Sequence, residues 1–346
     1  MRDSLAWGTT CLTYAGGWSP IARVPRPVLL LTHPDCELHD PGAGHPERPG
    51  RLGALLGALA HDRELGAAVR EERAEPAREE DLLRAHLPSH VARVRAAVAE
   101  AARCGATVPL DDDTLVSAGS WRAALAAAGC AIEAVERVAA GPAQRAFALS
   151  RPPGHHAGPD CSMGFCLFNN AAVAVRRLQA VRGGARVLVI DVDAHHANGT
   201  QDIFYEDGSV YLLSFHLSPA FPGTGGAGDR GAGDGAATTH NVPLAQGTGA
   251  AEYRARWSEA LDAAFAAFVP ELVVLSMGFD VLAGDPEGGL LLEPRDLHEL
   301  VTDLLRRLPS AAGGRVVAVL EGGYALDRIG AGFVEVMRAL AELSPR

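Results

Sequence analysis

The sequence predicts a single α/β domain in which a mostly parallel central sheet is flanked by helices on both faces. Two observations carry that expectation. In the second half of the chain, short apolar runs alternate with helix-spaced stretches of about ten residues or more, the signature of right-handed βαβ crossovers. The strand-like runs are continuously apolar, as in Val187-Leu188-Val189-Ile190 and Leu272-Val273-Val274-Leu275, so each is buried on both faces rather than one.

Taken in order, residues 1–26 are rich in Gly, Pro and Trp and read as an irregular N-terminal extension, leaving 27–346 as the folded domain. A short strand over 27–32 runs into a polar loop holding His33, His39 and His45. That loop is compatible with a metal site, but its spacing assigns no ligands; the alternative is the rim of a pocket. Helical spacing marks 51–60, 79–86 and 89–102, and the loop that follows carries Asp111, Asp112 and Asp113, either part of a pocket mouth or a solvated face. A long Ala-rich helix spans 120–140 with Ser120 as its cap. Then come strand 146–150, helix 170–181, strands 186–191 and 210–215, helix 250–268, strand 272–277, helix 294–308, strand 316–320 and helix 325–343. The glycine-rich tract 223–235 is expected to be a mobile loop on the rim.

With 48% apolar and 21% charged residues, the chain has the composition of a soluble globular protein. No apolar run approaches membrane-spanning length and the start of the chain lacks a signal pattern, so no membrane association is expected and the default location is the cytoplasm. The formal charge of -11 argues against a nucleic-acid surface and mildly favours cationic ligands. The six cysteines form no CxxC pair and read as reduced residues, not as a zinc knuckle. A homo-oligomer is left open.

In a parallel sheet the ligand site lies beyond the carboxyl ends of the strands. The residues there are Arg151-Pro152-Pro153-Gly154-His155-His156, Asp191-Val192-Asp193-Ala194-His195-His196, Gly278-Phe279-Asp280 and Glu321-Gly322-Gly323-Tyr324. The simplest chemistry for this collection is one metal on Asp193, His195 and Asp280, with room left for water and a substrate carbonyl, the pattern of a catalytic zinc. If the strand persisted through 195, Asp191, Asp193 and His195 would leave on one face. His155 and His156 are candidate proton carriers held by a stiff Pro-Pro-Gly turn, with Asp191 and Asn198 as partners that orient their rings; an acid partner makes its imidazole more basic than an amide does. Tyr324, freed by a flexible Gly322-Gly323 pair, is placed to donate its hydroxyl to a developing oxyanion. His196 is left without a catalytic role.

The motifs RPPGHH, GFCLFNN, DVDAHHANGTQDIF, FPGTG, NVPL, GFD and EGGY, in that order, resemble the zinc-dependent histone deacetylase and acetylpolyamine amidohydrolase family. The resemblance implies the arginase/deacetylase fold, a deacetylase domain over 27–346 and hydrolysis of an N-acetylated amine. It implies zinc on Asp193, His195 and Asp280, His156 as general base with His155 as its electrostatic partner, and Tyr324 polarising the carbonyl. It further implies a tunnel lined by Gly164, Phe165 and Phe221, and a structural potassium ion held by Asp191, Asp193, His195, Ser214 and the backbone of Phe215. Ala194 and Ala197 depart from the family's usual residues without removing a ligand, and the two-manganese ureohydrolase branch lacks its additional ligands here. A silent binding protein of the same fold would be marked by a lost ligand or tyrosine, and none is lost.

Glu287, in Gly284-Asp285-Pro286-Glu287-Gly288-Gly289, is similar to the polyamine-preferring branch. A carboxylate one alkyl chain from the metal attracts the distal ammonium of an acetylated diamine, whereas an acetyl-lysine peptide carries no charge there. Small acetylated amines, above all acetylpolyamines, are therefore the expected substrates, with a protein acetyl-lysine deacetylase as the alternative.

Overall fold

The computed structural model describes residues 27–141 and 144–346; the extension expected over 1–26 lies outside them. The strands, in chain order, are β1 (Val28–Thr32), β2 (Val69–Arg73), β3 (Val108–Pro109), β4 (Leu115–Val116), β5 (Arg145–Ala148), β6 (Val187–Asp191), β7 (Val210–Leu217), β8 (Thr239–Leu244), β9 (Leu272–Met277) and β10 (Val316–Leu320). The helices are α1 (Gly50–Ala60), α2 (Arg63–Ala68), α3 (Glu79–Leu82), α4 (Pro88–Cys104), α5 (Ser120–Ala140), α6 (Asn170–Arg182), α7 (Asn198–Phe204), α8 (Ala250–Ala267), α9 (Pro294–Arg307) and α10 (Leu326–Leu340).

Eight strands form one sheet in the order β2-β1-β5-β10-β9-β6-β7-β8. Every pairing in it is parallel. All residues of β5, β6, β7, β9 and β10 are buried, as the unbroken apolar runs require. Each fully buried Val or Leu contributes about 1.5–3 kcal/mol, so polar residues are admitted where the chain leaves the sheet. The covering layers pack α5 against α6 on one side and α10 against α1 and α9 on the other. Among the described residues no helix is long and apolar enough to cross a membrane.

The loop expected near Asp111 holds the short antiparallel pair β3-β4, and two strands of the eight-stranded sheet carry no strand signal in the sequence. β2 is Val-Arg-Glu-Glu-Arg, too charged to signal a strand, and β8 contains Pro243; both are edge strands, where exposed charge and a missing N–H are tolerated. Ser120 is not the cap of α5: Gly119 occupies that position, and the buried Ser120 hydroxyl instead accepts from the Ser117 N–H (2.8 Å) and lies 2.7 Å from His39 Nδ1. The tract 223–235 is anchored at points, since a Cβ on Gly225 would come within 2.4 Å of His216 and one on Gly231 within 2.0 Å of the Gly235 carbonyl, while Gly223, Gly228 and Gly233 stand in open space.

Buried histidines set an acid limit on this core. Burial pushes His86 down to about 3 and His39 to about 4, the latter against the pull of Glu47. Both folded values lie below the unfolded value near 6.5, so the unfolded chain binds the extra protons and stability falls with pH through the window from about 6.5 to 4. We expect His86→Gln, which can keep the bonds to Gly158 O (2.8 Å) and Asn169 N–H (2.9 Å), to flatten that slope. The reduction is up to about 1.4 kcal/mol per pH unit. Thermal melts from pH 7 to 4.5 check it, and equal slopes for the two proteins would contradict it.

Candidate active site

The four strands expected to end in chemistry, β5, β10, β9 and β6, are adjacent at the centre of the sheet. Their tips therefore open on one place. Glu321, just past β10, holds the turn after β5 by accepting the N–H groups of Gly154 (2.7 Å) and His155 (3.1 Å), while Ser276 at the end of β9 donates to its other oxygen (3.2 Å). Burial raises Glu321 to about 7 despite the charge of His155. The start of the same turn is fixed by Arg151, buried and bonded to Glu47 (2.8 Å) and the Cys36 carbonyl (2.9 Å).

The two histidines are unlike, as their partners require. His155 Nδ1 lies 3.2 Å from Asp191 Oδ2, and His156 Nδ1 lies 2.7 Å from Asn198 Oδ1. Burial opposes a charge on His155, but Asp193 and Asp191 outweigh it and raise the ring to about 10. Burial, together with the neighbouring His155 and His195, pushes His156 well below its ordinary value. A cationic imidazole thus stands beside a neutral one, ring centres 4.0 Å apart.

β6 ends at Asp191, and the chain beyond it is not extended: Asp193 N–H turns back to Asp191 Oδ1 (3.1 Å) and His195 N–H to Asp193 Oδ1 (2.9 Å). The three candidate ligands still converge. One ligand atom from each of Asp193, His195 and Asp280 lies within 4.8 Å of the other two. Asp193 Oδ2 accepts from Gly322 N–H (2.9 Å) and Asp280 Oδ1 from Ala194 N–H (2.8 Å). Asp280 Oδ2 is buried without a hydrogen bond, 3.3 Å from His195 Nδ1. Burial and Asp193 raise Asp280 to about 7, and His195 reaches about 11, its burial overcome by Asp193 and Asp280. A buried Asp-His-Asp set that draws a proton onto its imidazole and orphans a carboxylate oxygen fits a divalent cation.

The glycines here make space; they are not flexible links. A Cβ on Gly278 would come within 2.3 Å of Asp193 Oδ2, and one on Gly322 within 2.3 Å of Asp280 Oδ2. Gly323, at φ +111, would meet Phe279 Cβ at 2.6 Å. Tyr324 is therefore held, not freed, and the Arg51 guanidinium, bonded to the Gly323 carbonyl (2.7 Å), lies 4.9 Å over its ring. Ala197, at φ -75, needs no glycine.

A cavity of about 230 Å³ leads to this place, lined by Asp113, His155, His156, Gly164, Phe165, His195, Phe221, Glu287 and Tyr324. Phe221 meets His156 edge-on at 5.1 Å and Phe165 meets Tyr324 at 5.7 Å. A Cβ on Gly164 would lie 2.3 Å from His156 and 2.9 Å from Phe221, so any side chain there would fill the passage. Phe165 sits at φ +66, a strained position for a non-glycine residue, held by Thr114 Oγ1 accepting its N–H (3.1 Å) while Asp113 accepts that of Gly164 (3.0 Å). Of the acidic run, Asp113 reaches the cavity and Asp111 and Asp112 face solvent. Glu287 is exposed at the mouth.

Asp191 and Ser214 are cross-strand neighbours beside the ligands, and the Phe215 ring packs away against Tyr253 and Trp257. His196 is bonded to Thr224 (2.8 Å) and Gln201 (3.1 Å) and lowered to about 4 by burial, a structural group. The three loop histidines do not converge: His33 caps Asp35, His39 lies 3.4 Å from Glu47, and His45 packs on Phe165 at 4.6 Å.

Fold and site together define a hydrolase of the arginase/deacetylase class. The histone deacetylase domain matches residues 45–340, and the chain belongs to the histone deacetylase family. It is 40% identical to the histone deacetylase-like amidohydrolase of Pseudomonas aeruginosa over 93% of this chain and 82% of that one. It is 42% identical to the acetylpolyamine amidohydrolase of Mycoplana ramosa over 66% of each chain, and 36% identical to the chloroplastic histone deacetylase 10 of Oryza sativa over 85% of this chain and 69% of that one. The crystal structure of the HDA15 HD domain superimposes with a TM-score of 0.85 at 34% identity, covering 93% of this chain and 91% of that one.

Proposed function

We propose that this protein is a zinc-dependent amidohydrolase that removes acetyl groups from small acetylated amines, acetylpolyamines foremost. Asp193, His195 and Asp280 would hold the zinc, which when bound supplies Lewis-acid polarisation of the acetyl carbonyl and a more acidic water. A potassium ion beside it would use Asp191, Asp193, His195, Ser214 and the Phe215 carbonyl.

The chain's own groups then divide the proton work. Asn198 Oδ1 accepts the hydrogen bond of His156 Nδ1–H, which leaves Nε2 as the ring's free acceptor. Burial, joined by the charges on His155 and His195, keeps His156 in its neutral form, able to take a proton and return it to the leaving amine. Burial raises the Tyr324 phenol well above its ordinary value, so it stays an O–H donor toward the developing oxyanion.

The observation that carries the substrate class is Glu287 at the mouth of a narrow passage walled by Phe165 and Phe221. A passage walled by aromatic rings, with Asp113 in its lining and the Glu287 carboxylate at its entrance, suits an acyl amine bearing a distal ammonium. Relatives named as histone deacetylases favour a second reading, hydrolysis of acetyl-lysine in proteins. Glu287→Leu separates the two: we expect kcat/KM for acetylputrescine and acetylspermidine to fall roughly tenfold, the cost of one partly screened charge pair. An acetyl-lysine peptide preferred by the wild type and indifferent to Glu287→Leu would overturn the polyamine reading.

A further inference from the structure

We infer that Asp285 is a positioning residue that ties the oxyanion donor Tyr324 to the specificity carboxylate Glu287. The inference rests on the function proposed above. Asp285 is 9% exposed, and its carboxylate serves two segments of chain at once. Oδ2 accepts the N–H groups of Tyr324 (2.6 Å) and Ala325 (2.9 Å); Oδ1 accepts that of Glu287 (3.0 Å).

Each bond has a physical reason. Helix α10 begins at Leu326 with Ala325 at its cap position, and no side chain of that segment caps it. Asp285 supplies the missing acceptor from another loop, where a carboxylate also suits the positive end of the helix. The bond to Glu287 is a local turn that orients the backbone carrying the mouth carboxylate. Just past Glu287 the loop packs on a proposed ligand's backbone, because a Cβ on Gly288 would lie 2.0 Å from the Asp280 carbonyl. One carboxylate thus spans the distance between chemistry at the bottom of the passage and selection at its mouth.

An amide resolves the two arms. Asn keeps one acceptor oxygen and presents an NH2 group on the other side. The oxygen belongs with the two donors at Tyr324 and Ala325, so Asp285→Asn faces the Glu287 N–H with a donor and loses that arm. Asp285→Ala loses both.

The test compares zinc-loaded wild type, Asp285→Asn and Asp285→Ala on acetylputrescine and on N-acetylbutylamine, its uncharged counterpart, with zinc content and melting temperature measured alongside. For Asp285→Asn the ratio of kcat/KM between the two substrates falls about fivefold while kcat moves less than about threefold. For Asp285→Ala that ratio falls similarly and kcat drops about tenfold or more on both substrates. Unchanged ratio and kcat at full zinc occupancy, or losses that merely follow the melting temperature, overturn the inference. If Asp285→Ala does not fold, Asp285→Asn decides alone, and an unchanged ratio overturns. A wild type without diamine preference sinks the role proposed for Glu287; Asp285 is then judged by kcat of Asp285→Ala, where a loss supports the Tyr324 arm and no loss overturns it. A wild type inactive on every acetylated amine overturns both.

Discussion

We expect Asp280→Asn to cost the protein the proposed zinc and to leave the fold standing. Asn keeps the Oδ1 acceptor for Ala194 N–H (2.8 Å) and replaces Oδ2, which lies 3.3 Å from His195 Nδ1, with NH2, so the substitution removes a ligand atom and the charge that faces His195. A metal supplies several kcal/mol of transition-state stabilisation, and a loss of ~4 kcal/mol corresponds to a fall in turnover of ~10³-fold. The metal-free proteins add a second readout. Asp280 is raised to about 7 by burial and by Asp193, above its unfolded value, so metal-free wild type loses stability as pH rises from the ordinary carboxylate range toward 7. The amide has no carboxyl to titrate, so the part of the slope that comes from Asp280 is absent in metal-free Asp280→Asn. Metal analysis, turnover and melts check this; a variant with stoichiometric zinc and undiminished rate would refute the ligand assignment.

Tyr324→Phe carries the next largest effect. The ring is clamped by Arg51 and by the packed Gly323, so Phe takes the same place and only the hydroxyl is lost. Removing one oxyanion donor costs about 10²–10³-fold in kcat. Because burial keeps the phenol protonated well beyond neutrality, the loss is the same from pH 6 to 9. KM, zinc content and melting temperature stay near those of the wild type. A rate within about twofold of wild type would remove Tyr324 from the chemistry.

What could be read before folding was what repeats locally. The strands announced themselves because both faces are buried, and the histidines, acids and tyrosine because they follow strands. What could not be read depends on partners far away in the chain. Arg51 clamps a carbonyl 272 residues on, and Asp285 caps an amide 39 residues on, with no spacing to betray either. Glu321 stood in a strand-end motif with no role assigned to it, yet it holds the histidine turn. Gly322 and Gly323 suggested looseness because a sequence shows a missing Cβ but not the carboxylate or ring that occupies its space.

The sheet order also dictates when the enzyme can come into being. β10, the last strand to leave the ribosome, lies between β5 and β9. Until it is made, the nascent chain can build only two partial sheets, each with an open edge on which foreign strands can pair. Its arrival joins those halves and in the same movement delivers Glu321 to the histidine turn, Gly322 to Asp193 and Tyr324 to the cavity. Closing the sheet and completing the candidate site are thus the same topological step.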